Sequence, residues 1–194
     1  MHNPKYRVGF ADDLKKSLPK IPLPDGREDF WAYSKAGREL AKLHLEYESV
    51  EPLQEVIVRG LPEKQNESGF LRVAEPTAGS WFEFTPTLTE RLRVDKMSYA
   101  AKGCKDVINV NPYITVENIP ARAYEYIVNG KPAVEWVMER CQVKADKSSG
   151  IVNDPNLYSK ETGQPTYILD LLLSVIAVSV KTMCIIDTLP ELKW

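Results

Sequence analysis

The chain has 194 residues, enough to bury one hydrophobic core or two small ones. Hydrophobic residues make up 43% and charged residues 27%, a balance that excludes general disorder, and the formal net charge of −2 excludes a uniformly basic, histone-like protein. Cys104, Cys141 and Cys184 are scattered and form no CxxC pair, which is typical of reduced thiols and not of a disulfide framework.

Neither a secretory signal nor a membrane span is predicted. The first residues, 1–5, contain no apolar region of the kind found in signal peptides. The longest uncharged apolar stretch, 171–180, is shorter than the roughly 20 residues that cross a bilayer. We therefore expect a soluble, cytoplasmic protein, with a single domain over residues 1–194.

Helical patterns dominate the first quarter of the chain. A short helix is predicted over 10–18, and a long amphipathic helix over 25–47, where Asp25 and Glu28 have the spacing of a capping box. Because His44 falls on the apolar stripe of that helix, we expect a hydrogen-bonded core histidine and not a catalytic one. The stripe consists of Phe30, Tyr33, Gly37, Leu40, His44 and Tyr47.

The pattern changes to that of β-strands in the middle of the chain. Arg91, Arg93 and Asp95 alternate with apolar residues, which predicts a strand with one solvent-exposed face. Four to six mostly antiparallel strands are expected in this region. The short runs of β-branched and aromatic residues that support this prediction are 56–58, 70–73, 81–84, 107–110 and 113–116.

The last third is predicted to return to helices. One helix starts at Pro120 and ends at Asn129-Gly130, and a second starts at Pro132. Residues 144–166 lack periodicity and predict a long loop, whereas 167–186 are apolar almost all round and predict a buried central helix. The fold class is therefore α+β, with a small, mostly antiparallel sheet from the middle of the chain packed with N-terminal and C-terminal helices. The second helix is expected to turn Val134, Val137, Met138 and Cys141 inward.

Motifs for catalysis and cofactor binding are missing from the sequence. The phosphate-binding patterns GxxxxGK[ST] and GxGxxG do not occur, and neither does the GxSxG nucleophile elbow. The two histidines and the scattered cysteines do not have the spacing of zinc ligands. We therefore expect no cofactor, no metal and no catalytic residue.

The strongest functional signal is a cluster of positive charge. Residues 91–105 carry five basic side chains and one acidic one, a net charge of +4, which is typical of a surface that binds nucleic acid. Amide side chains after this segment and in the 144–166 loop are suited to base edges or phosphates. The alternative is an ordinary solvated surface. The candidate DNA-binding residues are Arg91, Arg93, Lys96, Lys102, Lys105, Asn109, Asn111, Lys144, Lys147 and Asn153.

One short motif is similar to a known catalytic loop. Asn111-Pro112-Tyr113 is similar to the Asn-Pro-Pro-Tyr motif with which adenine-N6 methyltransferases hold a flipped base. The second proline and a glycine-rich cofactor loop are both missing. The tripeptide therefore predicts a turn between two strands.

Four stretches resemble the type ISP restriction-modification enzymes: 29–48, 124–140, 142–156 and 167–192, the last with its Leu-Pro-Glu-Leu ending. These are large single-chain proteins, often labelled as DEAD/DEAH-box helicases, whose C-terminal part is the specificity, or target recognition, domain. The resemblance is weaker over residues 53–111, as for a region that varies with the DNA sequence recognised.

The resemblance implies sequence-specific recognition of double-stranded DNA by a domain that is not catalytic by itself. Its partners would then be DNA and the methyltransferase and helicase regions of a parent enzyme, of which this chain is a fragment or a separate piece. One alternative is a module that couples those regions without reading DNA, with Trp31, Trp81 and Trp194 exposed at an interface. The other is a small enzyme that uses Asp154, Asp170 or Asp187.

Overall fold

The computed structural model describes residues 3–19, 23–61 and 88–191. These residues form helices and short strands, together with 3-10 turns at Tyr47–Ser49 and Ala121–Tyr124. The helices are α1 (Pro4–Gly9), α2 (Arg27–Leu45), α3 (Leu88–Leu92), α4 (Ala133–Arg140), α5 (Asn156–Glu161) and α6 (Tyr167–Asp187). The strands are β1 (Ile57–Arg59), β2 (Ser98–Ala101), β3 (Cys104–Asn109), β4 (Thr115–Glu117), β5 (Ile127–Val128), β6 (Lys131–Pro132), β7 (Lys144–Ala145) and β8 (Val152–Asn153).

The main sheet is antiparallel and has the strand order β1-β4-β3-β2. Ile108 of β3 lies opposite Val116 of β4, and both side chains are completely buried. Because side chains alternate between the two faces of a sheet, this pair identifies the face that packs on the core. Two further two-stranded hairpins, β5–β6 and β7–β8, follow the sheet in sequence. The predicted α+β class is confirmed.

The core forms between the inner face of this sheet and α6. One continuous apolar cluster joins Ile108 and Val116 to Leu172 and Ile176 of α6. The two buried serines of α6 are hydrogen-bonded: the Ser174 hydroxyl donates to the Val50 carbonyl at 2.9 Å, and the Ser179 hydroxyl donates to the Val175 carbonyl at 2.7 Å. The predicted buried central helix is therefore confirmed.

By length and composition, α6 could cross a membrane. The prediction of no membrane span used only the uncharged stretch 171–180, whereas the helix itself runs from Tyr167 to Asp187. In the fold, however, 67% of its most apolar window is buried inside the protein, as in the core helix of a globular domain.

The amphipathic helix α2 has its buried stripe rotated from the predicted one. It follows Gly26, which has no side chain for a cap, so the capping box predicted for Asp25 and Glu28 is wrong. Ala36 is the buried residue of α2, whereas Phe30 and Gly37 are exposed. α2 packs against α6.

His44 lies where α2 meets α6. Its Nε2 is 3.0 Å from the Thr182 hydroxyl, and its ring stacks on Tyr126 with 5.5 Å between centroids. Burial lowers the pKa of His44 below its usual value. These contacts are structural, in agreement with the expectation of a hydrogen-bonded core histidine.

Residues 91–95 and 120–130 differ from their predicted secondary structure. Residues 91–95 are not a strand: α3 ends at Leu92, and an irregular segment follows up to β2. The helix predicted over 120–130 is wrong as well, because a 3-10 turn precedes the β5–β6 hairpin. Asn129 and Gly130 both have positive φ (50° and 82°) and form its two-residue turn. A helix end and such a hairpin use the same left-handed conformation, which explains the error.

The remaining predictions have mixed outcomes. The helix starting at Pro132 is confirmed as α4, with Val134 and Val137 buried. The segment 144–166 is not a structureless loop, since it contains the β7–β8 hairpin and α5. The short helix predicted over 10–18 is replaced by α1, which lies earlier in the chain. The strands predicted at 70–73 and 81–84 lie outside the described residues.

Candidate nucleic-acid interface

The segment that includes the end of α3 and the residues just after it is bound to residues far along the chain. We call residues 91–95 the basic connector. The Asn156 side chain pairs with both backbone groups of Val94: the Val94 N–H donates to Oδ1, and Nδ2 donates to the Val94 carbonyl, each at 2.9 Å. The Val143 N–H donates to the Asp95 carbonyl at 2.8 Å. The connector is thus held against both ends of the β7–β8 hairpin.

Arg93 adds an ionic link to the same junction. Its guanidinium donates to Asp95 and to Asp154, in both cases over 2.9 Å. Burial of Asp154 disfavours its ionisation, but hydrogen bonds from Asn156 and Arg93 outweigh this effect and hold the Asp154 pKa below its usual range. The hydrogen bond to Asp154 in turn raises the pKa of Arg93. The charge of Arg93 is therefore paired with two carboxylates of the same chain.

Asn111 joins the connector to the turn between β3 and β4. The side chain is only 7% exposed. Its amide nitrogen donates to the carbonyls of Arg91 and Arg93, at 2.8 and 3.0 Å. Its oxygen accepts the backbone N–H groups of Tyr113 and Ile114, both at 2.8 Å. Asn111 is therefore a structural residue of the turn, which confirms that Asn111-Pro112-Tyr113 lies between two strands.

Arg91 points toward the same turn. Its guanidinium carbon is 5.7 Å from the centroid of the Tyr113 ring, within range of a cation–π contact. Its Nε is buried without a hydrogen-bond partner within the described part of the chain. The Tyr113 ring is 44% exposed, so the pair presents both an aromatic face and a cation at the surface. Arg91 lies in the last turn of α3 and Arg93 follows the end of that helix, so the two do not share a strand face as predicted.

The β7–β8 hairpin is well ordered by its own side chains. Lys144 lies directly opposite Asn153 in the register. At the tip, one oxygen of Asp146 accepts the hydroxyl and backbone N–H groups of Ser148 and Ser149. These hydrogen bonds, with that from the Ser148 hydroxyl the strongest, lower the pKa of Asp146 well below its usual value. Lys147 lies exposed within this tip.

Lys105 lies in a different environment, beside α4. Its ammonium group is 2.8 Å from Glu135 and faces the rings of Tyr99 and Tyr124, at 5.9 and 5.1 Å from their centroids. Burial raises the pKa of Tyr99 to about 12 and raises that of Tyr124 further. Lys102 precedes Gly103 in the β2–β3 turn and is exposed.

The predicted site residues therefore divide into groups. Arg91, Arg93 and Asn111 come together at the connector, beside the hairpin that carries Lys144, Lys147 and Asn153. Lys102 and Lys105 lie on the β2–β3 hairpin, Lys96 follows the connector and is exposed, and Asn109 is half-buried in β3. Folding also brings Asp154 and Glu135 to Arg93 and Lys105, which reduces the net charge of +4 counted along residues 91–105 to about +2.

Sequence reasoning missed the residues that fasten this surface. Asp154-Pro155-Asn156 begins α5, and Asn156 also donates to Asp154 at 2.7 Å. An Asp and an Asn flanking a proline are typical of a turn or helix start, and that signal was available. The sequence could not reveal that the Asn156 side-chain amide forms hydrogen bonds with the backbone of Val94, 62 residues away.

The carboxylates proposed for a small enzyme have other partners. Asp154 is bound to Arg93, Asp170 accepts from the Thr166 hydroxyl at 2.7 Å, and Asp187 forms an ion pair with Arg122. Over residues 3–19, 23–61 and 88–191, no group of three or more His, Cys, Asp or Glu side chains is arranged to hold a metal ion.

Fold and site together describe a small α+β module in which turns and a hairpin present lysines, an arginine–tyrosine pair and amides. The model of the type ISP C-terminal specificity domain matches residues 1–171, and the chain belongs to this family. The resemblance seen in the sequence is thereby confirmed. No curated protein matches the chain at a significant level.

Solved structures agree with this assignment. The type ISP restriction-modification enzyme LlaBIII bound to DNA is similar at 41% identity and a TM-score of 0.76, over 99% of this chain and 10% of that enzyme. A nuclease-deletion mutant of the type ISP enzyme LlaGI, in complex with a DNA substrate mimic, is similar at 41% identity and a TM-score of 0.74, over 98% of this chain and 13% of the LlaGI chain. A DrdV–DNA complex is similar at 28% identity and a TM-score of 0.67, over 100% of this chain and 17% of the DrdV chain. The chain thus spans about a tenth to a sixth of the length of these proteins.

Proposed function

We propose that this chain recognises double-stranded DNA in a sequence-specific manner, as the specificity domain of a type ISP restriction-modification enzyme in the cytoplasm. The observation that carries the proposal is family membership, together with three similar proteins whose structures contain DNA. In this role the domain supplies binding and no catalytic group. Its protein partners are the methyltransferase and helicase regions of the parent enzyme.

The exposed lysines are best suited to phosphate contacts. Lys96, Lys102, Lys144 and Lys147 are all exposed, and within the described residues none of them forms a salt bridge. A lysine that neutralises a phosphate releases a bound counterion, so affinity falls as salt rises. Arg93 and Asn111 serve instead to hold the connector, and they position the surface without contacting phosphate.

Binding of the 194-residue chain to a fluorescently labelled duplex, measured by anisotropy between 50 and 200 mM salt, tests the proposal. We expect Lys144→Ala with Lys147→Ala to weaken binding and to reduce the slope of log affinity against log salt by about 2, one for each phosphate contact. Lys42→Ala, in the exposed part of α2, is the matched control and should leave the slope unchanged. Absence of duplex binding by the wild-type chain at 50 mM salt would overturn the proposal.

A second candidate function is structural coupling of the parent's methyltransferase and helicase regions. The N-terminal part of the chain exposes large apolar side chains, among them Leu23, Phe30 and Trp31, at 87%, 52% and 53%. Such side chains are typical of an interaction surface when they lie close together, and the Phe30 and Trp31 rings are in edge contact, 5.5 Å apart. If coupling is the main role, Trp31→Ala will weaken association with the remainder of the parent enzyme, and the lysine variants will leave DNA binding unchanged.

A further inference from the structure

The register of the main sheet places four polar side chains in one line. Ser98 of β2 pairs with Asn109 of β3, and Asn109 pairs with Thr115 of β4. Thr115 pairs in turn with Arg59 of β1. Directly paired residues of antiparallel strands have their side chains on the same face, about 4.5–5.5 Å apart. We call this line, which crosses all four strands, the polar row.

The polar row faces away from the core. The neighbouring line of paired residues, Val58, Val116, Ile108 and Tyr99, belongs to the apolar cluster. Because successive side chains in a strand alternate between faces, the polar row projects from the opposite side. Ser98 and Arg59 are exposed, and Asn109 and Thr115 are half-buried.

Arg59 is already oriented at the end of the row. Its Nε donates to Glu117 of the adjacent strand at 2.6 Å. Its two terminal nitrogens have no salt-bridge or hydrogen-bond partner within the described part of the chain. The Nε–H group thus orients the guanidinium, and the N–H groups of the two terminal nitrogens are available to a ligand.

The row also ends next to the site already described. Gly60, which follows Arg59, lies so close to the β3–β4 turn that a Cβ on it would be 1.8 Å from the Tyr113 carbonyl oxygen. The polar row is therefore adjacent to Tyr113 and, through the cation–π contact, to Arg91.

We propose that the polar row reads base edges in the DNA, an inference that rests on the proposed function. The chemistry of the row fits bases better than phosphates, because three of its members are uncharged and Glu117 balances the charge of Arg59. Arginine and asparagine are the side chains that make bidentate contacts to guanine and adenine in the major groove. Three strand spacings of about 4.8 Å give a row about 14 Å long, which corresponds to about four base-pair steps.

A selection from a randomised duplex library tests this inference on the 194-residue chain. We expect Arg59→Ala and Asn109→Ala each to lose the wild-type preference at one base position, by about 5- to 150-fold, with the salt slope unchanged. Arg59→Lys, which keeps the charge but not the planar fork, should lose the same preference. Lys147→Ala is the control and should weaken binding to all library members equally.

The outcomes separate this inference from the function on which it rests. If the wild-type chain selects a sequence, and Arg59→Ala and Asn109→Ala select the same one with equal discrimination, the polar row is not the reading surface and the proposed function stands. If the wild-type chain binds without any preference, both the base-reading row and sequence-specific recognition are wrong.

Discussion

Asn111 illustrates how one buried amide organises the candidate interface. Its four hydrogen bonds use both the donors and the acceptor of the side chain, and every partner is a backbone group. Asparagine is the residue that can do this, because a carboxylate lacks the donors and an alanine lacks both. The turn that carries Tyr113 and the connector that carries Arg93 therefore keep a fixed relative position.

We predict that Asn111→Ala lowers the free energy of unfolding by about 1–3 kcal/mol, since it leaves buried backbone groups without partners. Urea denaturation followed by circular dichroism measures the change. Asn109→Ala is a matched control, because the Asn109 side chain is half-buried in the neighbouring strand. Equal losses for the two variants would contradict the structural role of Asn111.

Gly60 gives a second prediction for a single residue. Its φ of 82° is costly for alanine and most other residues, and a Cβ would also clash with the Tyr113 carbonyl. Gly103, in the β2–β3 turn, has a similar φ of 86° but nothing within 4 Å of its Cβ position. We expect Gly103→Ala to cost about 1–2 kcal/mol and Gly60→Ala clearly more, as measured by chemical denaturation. If the two cost the same, the close approach to Tyr113 does not constrain the fold.

At the scale of the element, the sequence predicted the periodic segments well and the irregular ones poorly. The long helix α6 follows from its apolar composition, and the β3–β4 turn follows from Asn111-Pro112. The connector could not be predicted, because Leu92 and Val94 have the alternation of a strand while the Asn156 side chain occupies the backbone groups of Val94. For the same reason the charge of the site was overestimated: Asp154 and Glu135 come from elsewhere in the chain.

The junction between the connector and the β7–β8 hairpin should depend on pH through Asp154. A carboxyl group whose pKa is lower in the folded state stabilises the fold above its unfolded pKa of about 3.9, and this stabilisation is lost as pH falls through the lower folded value. We therefore expect the wild-type Tm to fall between pH 6 and pH 3. Asp154→Asn should have a lower Tm at pH 6 and a smaller further decrease in acid.

Thermal unfolding by circular dichroism at the two pH values provides the comparison. Asp12→Asn removes an exposed carboxylate that pairs with Lys15, and such a surface pair contributes little. Its Tm should follow that of the wild type at both values. Parallel curves for Asp154→Asn and the wild type would mean that the Arg93–Asp154 link does not stabilise the junction.

At the scale of the whole molecule, the hydrophobic core and the proposed binding surface lie in different layers. The core joins α6 to the inner face of the sheet, whereas the exposed lysines lie on turns and on the β7–β8 hairpin, and the polar row lies on the outer face of the sheet. A near-neutral protein, with a net charge of −2, can therefore still present local positive charge to DNA. The division also means that variants of the two layers should have separable effects.

Ile176 and Lys147 provide that separation. Ile176 is completely buried in α6, so Ile176→Val should lower the free energy of unfolding by about 0.5–1.5 kcal/mol through the loss of one methyl group. Its affinity for duplex DNA should equal that of the wild type at 20 °C, where the chain remains folded. Lys147→Ala should leave the free energy of unfolding unchanged. Its binding to duplex DNA should be weaker and less dependent on salt. If Ile176→Val weakened binding as much as Lys147→Ala does, the outer surface would be coupled to the core and would not act as a preformed platform.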